Sequence, residues 1–228
     1  MRSVALTRPV GLVAVVPTVT FVMMQAMKQA PATSVASSPA APKEALDTRS
    51  RILLAAQRLF RKRGYHATGL NDILDVAQAP KGSMYHHFPG GKEAIGVCVI
   101  EEICRALLAT FGASRARSTQ AVVAQAGEQL ALVMVKTNYE ICALFSAFAA
   151  ERVGSPLLGA AVTSAYAQMV DTLQTRLVAD GCPTRTAQER ATVILALLEG
   201  GALLSQAQQS PVAFRLSLKQ AALMAKVV

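Results

Sequence analysis

The chain has 228 residues, 52% of them hydrophobic and only 5% aromatic, with no Trp and a net charge of +9. That length suits a medium helical domain plus a small one, with enough chain to bury a real core. The excess positive charge favours a polyanionic partner only weakly, because it is spread as +3 over each of 1–42, 43–111 and 112–228. The cysteines, Cys98, Cys104, Cys142 and Cys182, form no CxxC pair and fit no zinc template with His66, His86 and His87, so neither metal nor cofactor is expected. Most sit in apolar runs, as buried thiols in a reducing cytosol do; a disulfide or redox switch is the other reading. Acid, base, nucleophile and metal groups nowhere cluster, and there is no phosphate-cradling glycine loop, so no catalytic residue is assigned.

In chain order, residues 1–43 differ from the rest. No charge lies between Arg8 and Lys28, Val10–Met24 is Val-rich, and Pro31 to Lys43 is an Ala-Pro-Ser linker. Three readings stand. The segment is a disordered tail or lies upstream of a later start at Met24 or Met27. Alternatively it is a secretory signal ending near Ala30-Pro31-Ala32, or a short membrane anchor. Exporting the part that follows would defeat it, so a cytoplasmic protein without a membrane partner is expected.

From Asp47 the period becomes helical. Ile52, Leu53, Ala56, Leu59 and Phe60 follow the i, i+3, i+4, i+7 rule, with Asp47 or Thr48 as cap and Gly64 as terminator. Two short helices are predicted at Leu70–Ala77 and Lys81–Phe88, stopped by Pro89-Gly90-Gly91, and a longer one over 92–111. Ile73, Leu74, Ala77, Met84 and Phe88 make a seam between the short pair, which reads as a helix-turn-helix. Its second member would present Lys81, Ser83, Tyr85, His86 and His87 outward, its N-terminal end toward a DNA groove. His86 and His87 point differently on a helix, so they do not suggest a shared ion.

The run Lys81-Gly82-Ser83-Met84-Tyr85-His86-His87-Phe88-Pro89-Gly90-Gly91-Lys92, preceded by the Ile52–Gly64 helix, resembles the tetracycline-repressor (TetR) family. Its Pro-Gly-Gly-Lys form is similar to the LmrA/YxaF-like branch. The resemblance is strong over 48–100 and softer beyond, where helix number and Leu198-Glu199-Gly200 agree. It implies that Thr68, Tyr85, His87 and Lys92 hold phosphates. It also implies that Lys81, Gly82 and His86 face base edges, with Ser83 on the backbone nearby. The family's turn usually carries Gly where this chain has Gln78, which would cost about 1 kcal/mol in the left-handed region.

Five further helices are predicted at 118–137, 139–153, 156–180, 185–208 and 211–226, with breaks at Gly154-Ser155-Pro156, Gly181-Cys182-Pro183 and Ser210-Pro211. Met134, Tyr139, Cys142, Phe145, Phe148, Tyr166 and Met169 fall near helical spacing and read as core or as the wall of an apolar pocket, with Asn138, Glu140 and Gln168 as candidate polar anchors. No dedicated counter-charge for an ionic ligand is evident within 118–180. The resemblance implies a homodimer through helices 185–208 and 211–226, where Gly200 and Gly201 read as contact points. The expectation is an all-α chain of three parts: 1–43, a DNA-binding unit at 44–92, and a ligand-binding and dimerisation unit at 93–228. It would repress by binding a near-palindromic operator in double-stranded DNA and be released by a small apolar effector. The alternative is a DNA-binding helical dimer with no effector.

Overall fold

The computed structural model describes residues 46–114, 116–142 and 144–227; the N-terminal extension, with its three readings, lies outside them. Among the described residues there are nine α-helices, one 3-10 turn and no strand. The helices are α1 Thr48–Arg63, α2 Leu70–Ala77, α3 Lys81–His87, α4 Gly91–Ala113, α5 Thr119–Lys136, α6 Leu144–Ala150, α7 Pro156–Ala179, α8 Thr184–Gln208 and α9 Val212–Met224. The all-α expectation is met.

Each boundary has a local cause. Asp47 caps α1, its Oδ1 accepting the Ser50 amide at 2.6 Å, and Gly64 ends the helix at φ 77°. Gln78 does adopt the left-handed conformation, φ 49° and ψ 48°, between α2 and α3. Arg51 Nη1 donates to the Gln78 carbonyl at 3.1 Å and helps hold that strained turn. Ser118 and Ser155 cap α5 and α7, and Pro156 opens α7 where its missing N–H costs nothing.

One expected helix is corrected. Residues 139–153 do not form a single helix: Asn138 and Tyr139 both have positive φ, 48° and 60°, so the chain turns through 137–142 before α6 begins. Two successive left-handed residues cannot continue a right-handed helix.

Two apolar cores follow. The first joins α1–α4 to α6 and α7 through Ile52, Phe60, Met84, Ile95, Phe148 and Leu158. The second joins α5, the end of α7, α8 and α9 through Met134, Leu177, Ile194, Phe214 and Leu218. The first core therefore crosses the expected boundary at residue 92. Gly96 makes that crossing possible, since a Cβ there would lie 2.8 Å from Leu158 Cδ2 and 3.1 Å from Tyr65 Cε2. Gly201 does the same for α8 on α9, with Ser217 Cβ at 2.7 Å and the Phe214 Cα at 3.1 Å from any added Cβ.

Candidate DNA-binding face and effector cavity

The short helix α3 is held by one fully buried side chain, Met84, and by Phe88 just after it. Burying such a side chain is worth about 1.5–3 kcal/mol, which fixes a seven-residue helix with little stability of its own. The rest of α3 is turned outward: Lys81, Gly82, Tyr85, His86 and His87 are exposed and Ser83 is half-buried. A Cβ built on Gly82 would meet nothing within 4 Å. Nothing inside the protein therefore requires glycine there, while a groove floor approached from outside would. The His86 and His87 rings lie 5.2 Å apart, edge to face, and no trio of metal-capable side chains gathers among the described residues.

Two expected phosphate contacts look different in the structure. Thr68 is fully buried, its hydroxyl donating to the Gly64 carbonyl at 2.8 Å and its amide to the Tyr65 carbonyl at 3.2 Å. Both groups are engaged in closing the α1–α2 turn, so in the free protein Thr68 shapes the unit from inside. Lys92 is half-buried: its Nζ lies 4.1 Å above the Tyr65 ring and donates to the His66 carbonyl at 3.5 Å. Burial lowers its pKa, against the pull of Glu151.

A cavity lined mainly by apolar side chains opens among α4 to α9. Of the expected ligand-binding residues it brings together Met134, Cys142, Phe145 and Met169. The others are not on its wall. Asn138 is exposed at the 137–142 turn, and Tyr139 is buried in the second core. Tyr166 stands behind the wall, its ring 5.6 Å from Phe145. Phe148 points the other way, 5.6 Å from Phe60 and 5.8 Å from Tyr65. It is a packing residue between the DNA-binding unit and α6, where residues three apart share a face only approximately.

Sequence reasoning missed the α4 and α8 walls, including Leu107, Phe111, Leu198 and Glu199. Glu199 is the one that a closer reading could have found, as the lone charged residue between Arg190 and Arg215. Burial raises its pKa, partly offset by the hydrogen bond it accepts from the Tyr166 hydroxyl. The Cys142 thiol, also on the wall, is pushed up to about 12 by burial and by Glu199.

The comparisons with known proteins agree with this geometry. The family described as "Bacterial regulatory proteins, tetR family" matches residues 52–95, and "Transcriptional regulator LmrA/YxaF-like, C-terminal domain" matches 101–220, over half the chain. The chain belongs to the TetR family. It is 34% identical to the HTH-type transcriptional regulator LmrA of Bacillus subtilis over 162 residues, 70% of this chain and 86% of that protein. Over 55 residues, 24% of this chain and 27% of its relative, it is 44% identical to the repressor NemR of Escherichia coli. Among solved structures, a TetR regulator from Legionella pneumophila superposes with a TM-score of 0.71 at 21% identity, covering 81% of this chain and all of that one. Reduced E. coli NemR gives 0.64 at 22% identity, with 77% and 95% covered. This TetR-family chain is a DNA-binding transcriptional regulator and not an enzyme. Regulators of the family bind operator DNA and form homodimers.

Proposed function

We propose that this chain is a homodimeric, ligand-responsive repressor acting on DNA in the cytoplasm, with residues 44–92 reading DNA and 93–228 binding a small apolar effector and the partner subunit. Lys81, Gly82 and His86 face base edges; Tyr85, His87 and Lys92 take phosphates, with Ser83 beside the backbone. Two recognition helices related by a two-fold axis ask for a near-palindromic operator.

The observation that carries the effector reading is the placement of Phe145 and Phe148 on one short helix. Phe145 lines the cavity, while Phe148 packs against Phe60 and Tyr65 of the DNA-binding unit. A molecule that fills the cavity and moves α6 therefore moves the seat of that unit. Filling apolar space gains about 25 cal/mol per Å² removed from water, and a coupling of about 1–3 kcal/mol suffices for a fivefold or larger loss of occupancy.

Dimerisation is supported by an apolar face that the single subunit leaves open. Val193, Leu203 and Leu204 on α8 and Val212, Leu216 and Leu223 on α9 are exposed. Gly200, with nothing within 4 Å of an added Cβ, lies in the α8 stripe with Ala196 and Leu203, where a partner helix could approach closely. The described helix α8 is long and apolar enough to span a membrane by composition alone; it packs against α9, and in this reading a partner subunit covers the rest of its apolar side.

Operator binding tests the DNA half of this reading. Lys81→Ala should change sequence preference, costing about 1–3 kcal/mol at one base pair, whereas Tyr85→Phe and Lys92→Ala should weaken binding to all sequences. Equal loss on every sequence for Lys81→Ala would overturn the assignment. A thermal-shift screen of small apolar molecules tests the effector half, because ligands of the native state raise its apparent stability. The effector-free alternative predicts no such shift.

A further inference from the structure

We propose that the cavity takes an apolar organic cation, its positive charge seated against the Glu199 carboxylate; this rests on the effector reading above and deepens it. The wall is hydrocarbon and ring almost throughout, with Thr110 and Thr172 as minor polar points. Among the described lining residues Glu199 alone carries a carboxylate or a basic side chain, and it comes from α8.

A carboxylate is costly to bury and is retained in such a place only if something offsets it. Inside the protein little does. The Tyr166 hydroxyl from α7 donates to Glu199, and the Cys142 thiol, from the turn before α6, is pushed up by burial and by the Glu199 carboxylate. No described Arg, Lys or His forms an ion pair with Glu199. The nearby helices carry their charges elsewhere. Arg215 of α9 pairs with Glu128 of α5 at 3.4 Å on the surface. On α4, Glu102 pairs with Arg49 at 3.6 Å, Arg105 is exposed, and Asp171 of α7 is exposed too.

A cation with an apolar body completes this arrangement. Its rings or chains fill the hydrocarbon wall, and its charge supplies the missing partner at the one point where the wall can use it. Burial raises the Glu199 pKa, and a cation seated against the carboxylate lowers it again, so binding the cation releases a proton from the carboxyl. Affinity for the cation therefore rises with pH until Glu199 is ionised without help, and then levels off.

The test uses the full-length dimer and two ions of the same size and shape but opposite charge, tetraphenylphosphonium and tetraphenylborate, with N-phenyl-1-naphthylamine as a neutral apolar probe. Calorimetry should show the phosphonium bound at least tenfold tighter than the borate, even though the protein's net charge of +9 favours the anion elsewhere on its surface. Glu199→Gln should remove at least tenfold of the phosphonium affinity and leave the neutral probe unchanged. In the unaltered protein, repeating the titration in buffers of different ionisation enthalpy should reveal proton release on phosphonium binding, a readout that needs no variant to fold. Phosphonium affinity that is no better than borate affinity, or that survives in Glu199→Gln without proton release, overturns the inference while neutral-probe binding keeps the effector cavity. If none of the three probes binds, the cavity reading falls together with it.

Discussion

Replacing Phe148 by Ala isolates the junction between the two functional units. The ring is 1% exposed, and its centroid lies 5.6 Å from Phe60, edge to face, and 5.8 Å from Tyr65. Burial of a Phe side chain is worth about 1.5–3 kcal/mol, and each aromatic pair adds about 0.5–1.5 kcal/mol. The loss should therefore be about 3–5 kcal/mol, in the usual range for Phe→Ala in a packed interior. With urea slopes of about 1–3 kcal/mol per molar, the unfolding midpoint should fall by about 1 M or more. The measurement must hold protein concentration fixed, because unfolding of a dimer depends on it. Phe145→Ala is the control. That ring already faces empty space on one side, so truncating it leaves less new void and should cost clearly less. A Phe148→Ala loss below about 1 kcal/mol, or equal losses for the two variants, would mean that α6 does not separate a cavity from a packed junction.

Three further outcomes follow from named atoms. Gly82→Ala should leave thermal stability within about 0.5 kcal/mol of the parent, as for an unconstrained surface site, yet weaken operator binding in fluorescence anisotropy, since the added methyl meets only the DNA; unchanged binding would remove Gly82 from the groove. Leu204→Glu combined with Leu216→Glu should shift the protein to monomer in sedimentation and abolish binding to the two-half-site operator; an intact dimer would place the interface elsewhere. Glu199 carries a raised carboxyl pKa in the fold, so the folded state holds its proton longer than the unfolded chain does. Its ionisation therefore destabilises the protein as pH rises from the ordinary carboxylate range through the folded pKa. Glu199→Gln should match the parent near pH 4 and exceed it in melting temperature at pH 8, and a constant difference across that window would refute the assignment.

The recognition unit was legible because local chemistry and packing agree there. Met84 and Phe88 sit at seam positions and are buried, and the residues between them are exposed, as helical spacing requires. The internal role of Thr68 was not legible, because a turn hydroxyl has two partners open to it in a sequence, a ligand outside or a carbonyl four residues back; only the fold shows that the Gly64 carbonyl takes it in the free protein. The break at Asn138 and Tyr139 was illegible for another reason. Tyr has no preference for positive φ, and tertiary burial of its ring overrides the local cost. The cavity was half legible. Periodicity finds the apolar side of each helix but not which neighbour stands off from it, so Phe145 and Phe148 looked equivalent until packing separated them. Glu199 was illegible as a wall residue because it lies outside 118–180, on α8, which only packing brings to the cavity.

The same geometry alters the route by which an effector could act. By chain connectivity, α4 is one such route, since it leads directly from the recognition unit. The structure adds a second and shorter route through space. Phe145 at the cavity and Phe148 at the junction are nearly one turn apart on α6, and Phe148 touches the Tyr65 ring on which Lys92 rests at 4.1 Å. Beside them, His66 Nε2 meets Glu151 Oε2 at 2.7 Å and Ser155 donates to Glu93, so the segment after α6 is tied to both the α1–α2 loop and the start of α4. A shift of α6 of even a fraction of a turn would disturb contacts that set where Lys92 and α3 sit. Packed interfaces of this kind move between discrete arrangements and do not deform smoothly. Coupling through α6 therefore demands that Phe148→Leu, which keeps an apolar side chain but loses the ring contacts, retain effector affinity while reducing the effector's release of operator. Should release be unimpaired in that variant, with Phe145→Leu likewise silent, the signal would run along α4 alone.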